Sequence, residues 1–103
     1  MKKLKCKELE LELSIDSSNL LFDKSIYYFE YNNYGFISSD NLDELEKKLK
    51  GYLFYEAEYD KYEGFLILNI SLANIKNIAK QFNQDFIIYA NLNETFNLIK
   101  LND

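Results

Sequence analysis

The sequence has no histidine, no arginine, no tryptophan and no proline, and its 103 residues include one cysteine and three glycines. Without histidine, the usual proton shuttle near neutral pH and the commonest transition-metal ligand are missing. Without arginine, the planar fork that grips phosphate or carboxylate at two points is missing as well. The expectation is a protein that is not an enzyme and needs no cofactor. The lone Cys6 excludes an internal disulfide and a cysteine-built zinc site, which suits a reducing, cytoplasmic compartment. Met1 to Lys7 has the basic character of a signal n-region, but Glu8, Glu10 and Glu12 stand where an apolar stretch should follow. No run approaches the roughly 18 apolar residues of a membrane span.

What is present is 48% hydrophobic and 28% charged, which is the balance of a globular chain. Length limits it to one domain over residues 1–103, with residues 1–7 expected as a frayed basic terminus. Seventeen acidic residues against twelve lysines give a net charge of -5, which argues against direct binding to nucleic acid or an anionic membrane. Residues 1–7 carry +4, residues 8–23 carry -5 and residues 51–64 carry -3, whereas residues 65–103 are balanced. Twelve asparagines beside twelve lysines are the composition an AT-rich genome encodes.

Hydrophobic period locates the elements. Leu9, Leu11, Leu13 and Ile15 alternate with Glu8, Glu10, Glu12, Ser14 and Asp16, which predicts a strand over residues 8–16. Ile26 to Tyr31 is predicted to pair with Phe36-Ile37 across a turn at Asn32-Asn33-Tyr34-Gly35. Asp40 or Asn41 caps a helix with the stripe Leu42, Leu45 and Leu49, acids before lysines, and Gly51 closing it. Residues 52–62 are open to two readings: a strand with Leu53, Tyr55, Ala57 and Tyr59 inward, or a helical continuation through Tyr52, Tyr55, Tyr59 and Tyr62. Gly51 and the aromatic content favour the strand. Phe65 to Ile70 reads as a central strand, Ser71 caps a helix facing inward with Leu72, Ile75, Ile78, Ala79 and Phe82, and Phe86 to Ala90 is a second buried strand. A turn at residues 91–94 and a last strand over 95–101 complete the chain. The expected fold is α+β, a single mixed or antiparallel sheet of six to seven strands with two helices, in the order β-β-β-α-β-β-α-β-β.

Candidate chemistry is sparse. Glu56, Glu58 and Asp60, with Glu63 nearby, form a carboxylate ladder suited to a hard cation. The same ladder is also what a solvated strand face looks like, and Lys61 lies within it. Glu46-Lys47-Lys48 has the letters of a nuclease E-x-K element but sits on a helix surface, where such side chains diverge. Cys6, flanked by Lys5 and Lys7, lacks the base that a nucleophile needs. Nine tyrosines and eight phenylalanines are more informative, because a core this small has difficulty hiding them all with every hydroxyl satisfied. The expected partner-binding patch is Glu56, Glu58, Asp60, Tyr59 and Tyr62, with Tyr31 and Tyr34 as second choice; core packing is the competing use of the rings.

Glu63-Gly-Phe-Leu-Ile67 and Ile78-Ala-Lys-Gln-Phe-Asn-Gln-Asp-Phe-Ile-Ile88 together resemble a pattern in small phage and mobile-element proteins: a strand opening with Glu, a helix ending A-K-x-F/Y-N/G-Q-E/D, then a buried strand. The resemblance implies an accessory protein of mobile-element type, with no known catalytic residues to carry over. The leading expectation is therefore a protein-binding inhibitor or modulator, an anti-defence factor of anti-CRISPR type that occupies a basic nucleic-acid channel of a host nuclease complex. If it is phage-encoded, its compartment is the host cytoplasm. The second is a self-assembling structural protein forming a homodimer, and the third a carboxylate-based metal-dependent hydrolase.

Overall fold

The computed structural model describes residues 3–14, 33–91 and 97–101. Strands β1 (Lys3–Cys6), β2 (Leu11–Ser14), β3 (Asn33–Ser38), β4 (Leu53–Tyr59), β5 (Tyr62–Leu68), β6 (Phe86–Asn91) and β7 (Asn97–Lys100) accompany helices α1 (Leu42–Lys48) and α2 (Leu72–Gln81). The strands form one antiparallel sheet in the order β2-β1-β4-β5-β3-β6-β7.

The period of two along each strand divides the apolar side chains between two cores. Ile37, Phe65, Ile67, Ile87 and Tyr89 point to the outer face, where they meet Leu45 and Leu49 of the α1 segment and Ile75, Ile78 and Ala79 of α2. Leu4, Cys6, Tyr34, Phe36, Tyr59, Leu66, Leu68, Ile88 and Ala90 fill the inner face. Among the described residues the sheet curls toward its inner face. Tyr59 on β4 and Phe86 on β6 are separated by β5 and β3, a span of about 14 Å in a flat sheet, yet their ring centroids are 5.8 Å apart.

Local chemistry sets the helix ends. The Asn41 side chain accepts from the Glu44 N–H at 3.2 Å, acids occupy the first turn of α1 and lysines the last, and Gly51 adopts φ +99° beyond it. Ser71 Oγ accepts from the Asn74 N–H at 3.1 Å, and Asn83 takes φ +58° after α2, where the Gln84 N–H returns to the Ala79 carbonyl at 2.9 Å. The Tyr89 hydroxyl donates to the Ile70 carbonyl at 2.8 Å, which satisfies a buried phenol and ties β6 to the segment leading into α2.

The α+β class, the single antiparallel sheet and the two helices agree with the sequence reading, but the strands differ from those it enumerated. Residues 3–6 are not a frayed terminus: β1 lies between β2 and β4, with Leu4 and Cys6 fully buried. Lys3, Leu4, Lys5 and Cys6 alternate as a strand with one wet face should. Residues 7–10 form a turn, so the strand expected over 8–16 starts only at Leu11. The hairpin expected around Asn32 to Gly35 is also corrected, because Asn33, Tyr34 and Gly35 lie inside β3, which pairs with β5 and β6. Its expected first strand, Ile26–Tyr31, falls outside the described residues, as does most of the turn at 91–94. Residues 52–62 resolve to a strand ending at Tyr59, followed by the two-residue turn Asp60-Lys61.

Glycine serves close approach in two strands. A Cβ on Gly35 would collide with Ile75 Cδ1, the end of a mobile side chain on α2. A Cβ on Gly64 would collide with the Ile37 carbonyl oxygen and stand 2.8 Å from the Ser38 Cα, both backbone atoms of the neighbouring strand. Overpacking of this kind costs about 1–3 kcal/mol. Gly64→Ala is expected at the upper end of that range in urea unfolding and Gly35→Ala below it, because Ile75 has another rotamer to take and the β3 backbone does not.

Candidate functional site

The outer face of the sheet is only partly covered by helices. Across β2, β1, β4 and β5 one register row reads Glu12, Lys5, Glu58 and Glu63. Lys3 Nζ bridges Glu12 at 2.9 Å, and its hydrogen bond and charge hold the Glu12 carboxyl below the usual range. Glu58 and Glu63 face each other directly, a like-charge pair that weakens a sheet. Neither they nor Glu56 forms an ion pair among the described residues, where the ion pairs are Lys3–Glu12 and Lys47–Glu44.

This row opens into a groove of about 480 Å³. Glu56, Glu58 and Glu63 line its sheet side, Asp43 and Glu46 of α1 overhang it, and Glu8, Lys5 and Lys7 close the end formed by the β1–β2 turn. Leu42 and Phe65 supply apolar wall. Helix α1 overhangs the groove because Leu45 and Leu49 are drawn into the outer core, which leaves Asp43 and Glu46 along its flank. The groove is an exposed, open concavity of mainly negative charge. Among the described residues no three acids or cysteines converge to hold a metal ion, since carboxylates spread along a strand face diverge with the sheet.

The residues expected as one patch do not share one surface. Glu56 and Glu58 are exposed on the outer face, and Asp60 is exposed in the turn at φ +56°. Tyr59 is turned inward by the alternation of β4 and is 3% exposed, so it packs the inner core and is not a surface contact. Tyr34 is corrected in the same way at 2% exposed. Tyr62 is 41% exposed, but it follows the inner-face register of Tyr59, with its ring edge-on to Phe86 at 5.1 Å. It therefore lies on the rim opposite the glutamates. Tyr31 falls outside the described residues. Glu8, Asp43, Glu46, Lys5 and Lys7 were missed as groove residues. Asp43 and Glu46 flank the leucine stripe that seats α1, which is the only trace of this arrangement in the sequence.

Cys6 is fully buried, and desolvation pushes its thiol above the ordinary value; the Glu8 charge adds a smaller upward push, and hydrogen bonds from the Leu9 and Glu8 backbone only partly offset the two. A buried protonated thiol is a packing group. Comparison of the chain with protein-family models, with curated proteins and with solved structures finds no match.

Alkylation of Cys6 in the native protein at neutral pH is expected to run at least about a hundredfold slower than in denaturant. A thiol raised in the folded state stabilises fully below its unfolded pKa, about 8.5, and that contribution is lost as pH rises through the folded value. Chemical denaturation from pH 8 upward should therefore show the native protein losing stability that Cys6→Val retains.

Proposed function

We propose that the protein is a small acidic inhibitor or modulator that binds another protein by covering a basic surface. The observation that carries this reading is the set Glu56, Glu58 and Glu63, which makes no ion pair among the described residues and stands opposite Asp43 and Glu46 across one open groove. Like charges held directly opposite weaken the fold that holds them, and a cationic partner relieves the repulsion when it docks. Electrostatic complementarity of this kind chiefly speeds encounter and selects the partner. The complementary surface is lysine- and arginine-rich, such as the channel in which a nucleic-acid-targeting nuclease complex holds its substrate, and an anti-defence protein of anti-CRISPR type acts there. The role requires no catalytic residue and works in the cytoplasm of the host.

Self-association into a homodimer is the second reading, favoured by β2 and β7, each of which has one neighbour in the sheet among the described residues. Light scattering across the micromolar range separates the two, because an inhibitor of this design stays monomeric. The decisive experiment is affinity capture by the tagged protein from a lysate carrying nuclease defence complexes, at low salt and then at 0.5 M. Salt-sensitive capture of a basic complex is expected, and the triple variant Glu56→Lys, Glu58→Lys, Glu63→Lys should lose it while remaining folded by circular dichroism. Capture unaffected by the triple reversal at low salt overturns the reading.

A further inference from the structure

Strand β4 is longer than its neighbour β1, and among the described residues half of its backbone edge on that side has no partner. The β4–β5 hairpin has a two-residue turn with Tyr59 opposite Tyr62, so the pairs 59–62, 57–64, 55–66 and 53–68 exchange backbone hydrogen bonds within the hairpin. Phe54, Glu56 and Glu58 consequently aim their N–H and C=O groups at the opposite side, toward β1. The Asp60 N–H, on the same parity, bonds the Lys3 carbonyl at 3.3 Å. β1 pairs only with Glu58 and Tyr59 before the chain turns away at residues 7–10. Among the described residues nothing pairs with Phe54 and Glu56 on that side.

Two further features lie along the same four residues. On the outer face Glu56 opens into the acidic groove, beside Glu8 and Lys7 of the turn. On the inner face Leu53 is 40% exposed although its register partner Leu68 is 2% exposed, and Tyr55 is only half-buried. An unpaired backbone edge with carboxylates on one side and uncovered apolar side chains on the other has one chemical complement. It is an extended segment in which basic and apolar residues alternate.

We propose that residues 53–56 of β4 receive such a segment of a partner protein as an added strand. The inference rests on the acidic-groove reading above and specifies what enters the groove. A residue hydrogen-bonded to Glu56 across the new ladder shares its face, so the lysines or arginines of the segment stand over Glu56 and the groove. Its alternate apolar residues lie against Leu53 and Tyr55. Main-chain bonds supply affinity, and the alternation supplies selectivity.

The test uses the full-length isotope-labelled protein and a synthetic amidated peptide of alternating lysine and valine, followed by amide chemical shifts and hydrogen exchange. Two analogues carry N-methyl groups, one set on every lysine and the other on every valine, with unchanged charge. Methylation of the lysines is expected to weaken binding about tenfold or more, since two or more hydrogen bonds are lost. Methylation of the valines should leave binding within about twofold, because those amides face away. The Phe54 and Glu56 amides should exchange fast in the free protein and slowly in the complex. Equal, salt-sensitive binding of both analogues overturns strand addition while leaving the acidic groove as a charge-binding surface. Slow exchange of these two amides in the free protein also overturns it, because the edge is then already covered by the chain itself or by a second copy. Binding that discriminates between the analogues but ignores salt and Glu56→Lys removes the charge-based reading instead.

Discussion

The central strands of this protein are apolar on both faces, and the two helices among the described residues cover only one of them. Ile37, Ile67 and Ile87 require the helices on the outer side, while Phe36, Leu66 and Ile88, one residue away in each case, require an equally dry inner side. Among the described residues it is the curvature of the sheet that brings β4 and β6 together there, with Tyr59 and Tyr62 closing on Phe86. Most other features follow from this demand. Tyr34, Phe36, Tyr59 and Phe86 suit a curled interior, since large rings span the distance between strands that are not neighbours. Gly64, where β5 presses against the backbone of β3, marks a point of that tight packing.

The same demand produces the exposed chemistry. The helices are spent on β3, β5 and β6, so the outer face of β1 and the end of β4 remain wet and carry alternating lysine and glutamate. Register then decides which charges neutralise each other. Lys5 stands between Glu12 and Glu58, but Glu58 also faces Glu63, and the overhanging flank of α1 adds two more acids instead of lysines. Negative charge is thus gathered by strand pairing and helix placement from residues spread over half the chain.

That gathering explains what the sequence made legible. Both helices were readable with their caps at Asn41 and Ser71, because capping and the 3.6-residue stripe are local. The outward direction of Glu56 and Glu58 was readable from alternation, which also places Tyr59 inward, so its inclusion in a surface patch ran against the period of its own strand. β1 was not readable as a strand, since four residues with two lysines resemble a terminus until partners exist on both sides. Gly35 resembled a turn residue, whereas its small size serves the approach of Ile75 from α2. The meeting of Asp43 and Glu46 with Glu63 depends on where α1 docks, and no local pattern encodes that.

The insertion of β1 between β2 and β4 also has a temporal meaning. Leu4 and Lys5 find Tyr59 and Glu58 only after more than fifty further residues exist, whereas the β4–β5 hairpin closes through two residues. Loop closure makes distant pairings the slow ones. During synthesis β1, which precedes the other described strands, is therefore among the last able to complete its pairing, and the hairpin of β4 and β5 forms with its outer edge bare until β1 docks. Among the described residues, the stretch at residues 53–56 is the part of that early edge that β1 leaves without a partner.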